Sequence, residues 1–193
     1  MNFKLITRIA NNLQKEMEEW FEERTHKHIK AVQDNAKKIV DRYPEYKELL
    51  EIVKNHDASK LIEPERTPYI SISWKHKQDN YKGYKTPGQL IDPKENEATL
   101  HHVLNNKHHP EAWLKDKSKV NISKDDRDKS DKCIDASLMD NVSIAEMIAD
   151  WSAMSDELGK NTVREWFNLQ KEKRWHFSDE QVKLIDKLIK VFE

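Results

Sequence analysis

Apolar residues spaced three or four apart run through most of this chain, and that period admits little besides helices. Phe3, Ile6, Ile9, Leu13, Met17 and Trp20 trace one face of an amphipathic helix. His28, Val32, Ala36 and Ile39 trace a second, ending near Tyr43–Pro44 because the residue before a proline is driven out of the helical region. Tyr46, Leu49, Leu50, Val53 and Asp57 mark a third, halted by Pro64 and Pro68. With only 3 glycines in 193 residues, the turns of a glycine-rich β architecture are out of reach. The length suits one domain with a sizeable core, so the expectation is an all-α, single-domain bundle over residues 1–193.

Two stretches interrupt the period. Between Ile70 and Lys94 lie Gly83, Pro87, Gly88 and Pro93, with alternation only at Ile70, Ile72 and Trp74. The segment reads as a long loop near residues 70–94, a kind that often carries function. A helix from about Glu95 to His108 should follow, stopped by Pro110. Residues 115–132 mix charges of both signs and read as a solvated connector. Ser143 and Glu146 have capping-box spacing ahead of a helix whose core face is Ile144, Met147, Ile148, Trp151 and Met154. A second box, Ser178 to Gln181, precedes Val182, Ile185, Leu188, Ile189 and Phe192, so helices within 160–193 complete the bundle.

Charge and cysteine content narrow the function. Lys+Arg total 34 against 35 Asp+Glu, a net charge of −1 that gives no basic field for nucleic acid. The lone Cys133 excludes a disulfide framework and a multi-cysteine zinc site. The first apolar run is too short for a signal-peptide core, and no stretch approaches the ~20 apolar residues of a spanning helix. A soluble, cytoplasmic protein is expected. The composition holds 9 histidines, four of them at 101, 102, 108 and 109.

Several histidines and aspartates share faces with core residues. His28 precedes Val32 and Ala36 by one and two turns; His56 and Asp57 follow Val53; Asp150 lies between Met147 and Met154. An ionised aspartate pointing inward is costly unless paired or bound to metal. His102 shares a face with His109, and His101 with His108, and spacing alone leaves open which pair points inward. Pro110 should make the last histidines fan out. A single inward histidine is more often a hydrogen-bonded core residue than a ligand. Convergence from separate helices changes that weighting.

This ordered set resembles the HD superfamily of helical, metal-dependent phosphohydrolases. His56-Asp57-Ala58-Ser59-Lys60 is similar to its signature dipeptide with a following lysine. More narrowly, the chain resembles a small HD-like family of bacteria and their phages. Glu65-Arg66-Thr67-Pro68-Tyr69, His102-x-x-x-Asn106-x-His108-His109-Pro110-Glu111, and Glu146 through Asp150-Trp151 to Met154 carry the likeness, over about residues 25–155.

The resemblance implies that His28, His56, Asp57 and Asp150 hold one metal and that Asp57 bridges to a second held by His102, His108 and His109. His76 stands as another candidate for the middle ligand. One or two divalent transition ions are implied, and imidazole with carboxylate suits Mn, Fe, Co, Ni or Zn. The implied reaction is hydrolysis of a phosphate ester, a nucleotide or related small molecule, by hydroxide on the metal. Asp57 and Lys60 are the implied catalytic pair, Lys60 and Asn106 the substrate contacts, and Glu65 and Glu111 the partners of ligand imidazoles. Glu146 is a third candidate for such a partner, with the capping role favoured; Trp151 reads as core, while Tyr69, Trp74 and Tyr81 are placed to meet an aromatic substrate. Two other readings stand beside this one: a di-iron oxygenase on the same scaffold, and a helical interaction protein with a structural metal site.

Overall fold

The computed structural model describes residues 3–82, 92–123 and 133–193. It is an all-α bundle with one small parallel sheet. Helix α1, Phe3–Arg42, is one unbroken helix of 40 residues where the periodicity suggested two. The reason is local: the linking segment from Phe21 to Lys27 contains neither proline nor glycine. The helix ends where Tyr43–Pro44 predicts. Its core face begins only at Phe21 and continues through Val32, Ala36 and Ile39. Residues 6–16 are all exposed, and Ile6, Ile9 and Leu13 show 46%, 59% and 46% of their surface.

The third predicted helix breaks into short turns. A 3-10 turn at Pro44–Tyr46 leads into α2, Leu49–Ile52, then 3-10 turns at Val53–Asn55 and Ala58–Leu61. Between the last two, Asp57 adopts the left-handed conformation, φ 57° and ψ 11°, so no helix can run through it.

The predicted long loop is a correction. Residues 66–82 form α3, Arg66–Lys82, which includes Ile70, Ile72 and Trp74. Pro68 falls in its first turn, where backbone N–H groups have no helical partner and proline is tolerated. Gly83, Pro87 and Gly88 lie outside the described residues, as does the 124–132 part of the charged connector. Helix α4, Pro93–Asn105, starts with Asp92 accepting a hydrogen bond from the Lys94 N–H at 2.9 Å. It stops three residues before the predicted end, and Pro110–Trp113 form a 3-10 turn.

Strands β1, Ile134–Asp135, and β2, Trp175–His176, pair in parallel, Ile134 opposite Trp175. Helix α5, Asn141–Leu158, is capped by Asp140, which accepts from the Ser143 N–H at 2.7 Å. Ser143 and Glu146 are therefore both inside the helix and both buried, and they do not form its cap. Gly159, at φ 58°, ends α5 in the left-handed conformation that favours glycine. Capping boxes open α6, Val163–Gln170, at Thr162 and Glu165, and α7, Asp179–Ile189, at the predicted Ser178 and Gln181.

Helix α5 is the most buried element. Ile144, Ala145, Met147, Ile148, Ala149 and Ala153 join Val32, Ala36 and Ile39 of α1 and Ile185, Leu188 and Ile189 of α7 in one core. No helix among the described residues is long and apolar enough to cross a membrane.

Candidate metal centre

Five segments bring their polar side chains to one place. Helix α1 supplies His28, the turn before Ala58 supplies His56 and Asp57, α4 supplies His102, the turn after α4 supplies His108 and His109, and α5 supplies Glu146 and Asp150. The last two are one helical turn apart and share a face. Asp57 holds a backbone conformation that is uncommon outside glycine, and such outliers concentrate at functional sites.

Asp57 stands between two groups of imidazoles. Its Oδ1 lies 3.1 Å from His102 Nε2 and 3.6 Å from His108 Nε2. Its Oδ2 lies 3.7 Å from His28 Nε2, 3.8 Å from His56 Nε2 and 2.5 Å from the Lys60 ammonium. Asp150 closes the second side, with Oδ1 at 3.0 Å from His28 Nε2 and 3.9 Å from His56 Nε2. Three overlapping sets have ligand atoms within 4.8 Å of one another: His102 with His108 and His109, His28 with His56 and Asp150, and His56 with Asp57 and His108. His28, His56, Asp57, His102, His108, His109 and Asp150, the ligands that the resemblance implies, each fall in at least one of these sets. The open choice is settled as well: His102, His108 and His109 face inward together.

The outer contacts fix which nitrogen of each ring faces the centre. His56 Nδ1 donates to Glu146 Oε1 at 2.9 Å and His102 Nδ1 donates to Glu65 Oε2 at 2.8 Å, leaving each Nε2 to point inward. Glu65 is fully buried, accepts from Ser59 at 2.9 Å and bonds the outward-facing His101 through Oε1 at 2.7 Å. Asn106 donates to the Ser59 hydroxyl at 3.1 Å and to the His102 carbonyl at 2.9 Å, so it braces the end of α4. Lys60 lies 5.2 Å from the Tyr69 ring centre, and Tyr69 meets His102 edge-on at 5.6 Å.

Three expectations need correction. Glu146 is not a capping residue; its carboxylate lies beside His56 and, at 3.5 Å, His108 Nδ1. Glu111 does not support an imidazole: it is fully buried and accepts from Arg174 at 3.3 Å and the Trp175 indole at 3.2 Å. It ties the turn after His109 to β2, whose Trp175 stacks on Trp151. His76 is exposed on α3 and belongs to none of the candidate sets. Trp74 packs against Lys77, whose ammonium is 4.3 Å from its ring centre, and the Tyr81 side chain lies outside the described residues.

The electrostatics favour neutral His56 and His109 rings beside ionised carboxylates. Burial pushes His56 down, and burial with the neighbouring His108 and His102 pushes His109 well below the usual histidine value. Asp57 and Asp150 are held well below the usual carboxylate range against the opposing effect of burial, Asp57 by Lys60, His56 and His102, Asp150 by its bond to His28. His108 is raised, against burial, by Glu146 and Asp57, and Glu146 is lowered to about 2 by His108 and His56 in spite of its own burial.

A divalent cation fits this arrangement. His56 Nε2, His102 Nε2, His109 Nε2 and Asp57 Oδ1 are all buried without a hydrogen-bond partner. With Nδ1 of His56 and His102 committed as donors, both Nε2 atoms are lone pairs, and they converge on carboxylate oxygens that also only accept. Acceptors facing acceptors in a buried site call for positive charge between them. Metal–ligand bonds of about 2.0–2.2 Å place the donors of one ion on this scale of separation.

Among known proteins, no curated protein and no solved structure matches the chain. A family model described only as a family of unknown function matches residues 17–191, a span that includes every residue of the centre. The chain therefore belongs to that family, DUF5662.

Proposed function

We propose that the chain is a metal-dependent phosphohydrolase of the HD type, acting on a phosphate ester such as a nucleotide or related small molecule. The observation that supports this most is Asp57, one carboxylate with Oδ1 turned to His102 and His108 and Oδ2 to His28 and His56. His28, His56, Asp57 and Asp150 would hold one ion, and Asp57 with His102, His108 and His109 a second. Mixed imidazole and carboxylate donors favour Mn, Fe, Co, Ni or Zn over Mg. Bound divalent ions lower the pKa of water and neutralise phosphate oxygens.

The protein's own groups supply the rest. Lys60, 22% exposed at its side chain and held on Asp57, is the cation with access to both the centre and solvent. It supplies a fixed positive charge for a phosphate oxygen, the type of contact that gains strength as charge develops. Tyr69 confines the lysine from one side. Glu65, Ser59 and Asn106 hold His102 and the end of α4 in register. Glu146 does the same for His56.

The test is turnover of the metal-loaded protein against a panel of nucleotides, phosphomonoesters and phosphodiesters, with Asp57→Ala as control. Phosphate release that disappears in the control supports the reading. Failure on every ester, with dioxygen consumption by the iron-loaded protein, would transfer it to the oxygenase class, for which a histidine-rich donor set is also suited. Failure of both, with metal retained, leaves a structural metal site in an interaction protein.

A further inference from the structure

We propose that Glu146 is a positioning residue shared by both cation sites, so that its loss weakens both at once. It rests on the reading of the centre as a two-cation site and not on phosphate-ester chemistry. The sequence offers Glu146 as a candidate partner of one ligand imidazole, with a cap favoured by its spacing to Ser143; that it serves two rings is not readable there.

A single oxygen carries the role. Glu146 Oε1 lies 2.9 Å from Nδ1 of His56 and 3.5 Å from Nδ1 of His108. His56 groups with His28 and Asp150, His108 groups with His102 and His109, and Asp57 joins His56 and His108 in a third, bridging set. The two rings are neighbours, 4.3 Å between centres, and Glu146 is buried beside both, 4% exposed. It accepts the Nδ1–H of His56 and, from ion-pair distance, its charge favours the Nδ1–H form of His108 too, which turns both Nε2 atoms inward and raises their basicity as ligands. Glu65 offers the contrast. It grips His102 and the outward-facing His101, and among the ligand rings it touches only His102. Removing Glu146 should disturb one ligand of each site; removing Glu65 should disturb one ligand of one site.

The experiment is a Co2+ titration of the metal-stripped full chain, followed by calorimetry and by the visible absorption of the bound ion. The parent should take up two ions. Glu146→Ala should weaken both by about 10–100-fold, the usual loss when an outer carboxylate is removed. Glu65→Ala should weaken one by a similar factor and leave the other unchanged. Glu146→Gln keeps an acceptor oxygen, so it should recover part of the loss at both; it also stands in if circular dichroism shows the alanine variant unfolded. Uptake of fewer than two ions by the parent, weakening of one ion only in the Glu146 variants, or equal weakening of both in Glu65→Ala would overturn the proposal. Absence of turnover on every phosphate ester would sink the proposed function and leave this result standing.

Discussion

Asp57 Oδ1 and His102 Nε2 lie 3.1 Å apart, both buried and neither with a hydrogen-bond partner. His102 spends its other nitrogen on Glu65, so the two atoms meet lone pair to lone pair unless positive charge stands between them. The same opposition recurs at His56, whose Nδ1 is likewise committed to Glu146 while its Nε2 faces Asp57 Oδ2 at 3.8 Å, and it carries the functional account.

Asp57→Ala is expected to lose metal from both sites while keeping the fold. The Lys60 partner left behind can turn to water, because its side chain is already 22% exposed. The metal-free variant should therefore still unfold cooperatively with denaturant. Metal content by elemental analysis, beside denaturant unfolding of the stripped protein, checks both halves.

Lys60→Met should separate binding of metal from turnover. The lysine is no ligand in the proposed sets, so metal content should match the parent. Loss of a charge placed for a phosphate oxygen should lower kcat by about 10²–10³-fold. An unchanged kcat on a substrate that the parent turns over would remove Lys60 from the account.

Glu146 also predicts an acid limb of stability in the metal-free protein. Its carboxyl falls from an ordinary 4.5 to about 2 on folding, so the unfolded chain binds the proton first as pH drops. The stabilisation is full above about 4.5 and disappears as pH falls towards 2. Denaturant midpoints of the metal-free chain across that window should decline, and Glu146→Gln should flatten the decline.

Trp175→Ala tests the brace behind the histidine turn. The indole is buried, stacks on Trp151 at 5.4 Å and donates to Glu111. Truncation should cost about 3–5 kcal/mol, read as a lowered Tm of the metal-free protein.

Much of the centre was legible in sequence because its members sit at regular spacing on core faces. His28 is in phase with Val32 and Ala36, and Asp150 with Met147 and Met154, so inward placement follows from period alone. The inward members of the histidine cluster were not legible. Asn106 ends α4 and a turn then carries His108 and His109, so helical phase no longer applies beyond it. Glu146 was a candidate imidazole partner that lost to a local pattern fitting a cap, because its partner His56 lies 90 residues away. Glu111 failed for the opposite reason: a histidine-rich neighbourhood suggested an imidazole, and its partners come from the far C-terminal β2. The mistaken loop over α3 came from extending the breaking influence of Gly83, Pro87, Gly88 and Pro93 backwards, although all four follow Lys82, the last residue of the helix.

The most direct test is anomalous X-ray scattering from crystals of the protein loaded with Mn2+. The account predicts two peaks, one among His28, His56, Asp57 and Asp150, the other among His102, His108 and His109, with Asp57 between them. A density map with no peak among these side chains, or peaks only on the protein surface, would contradict it.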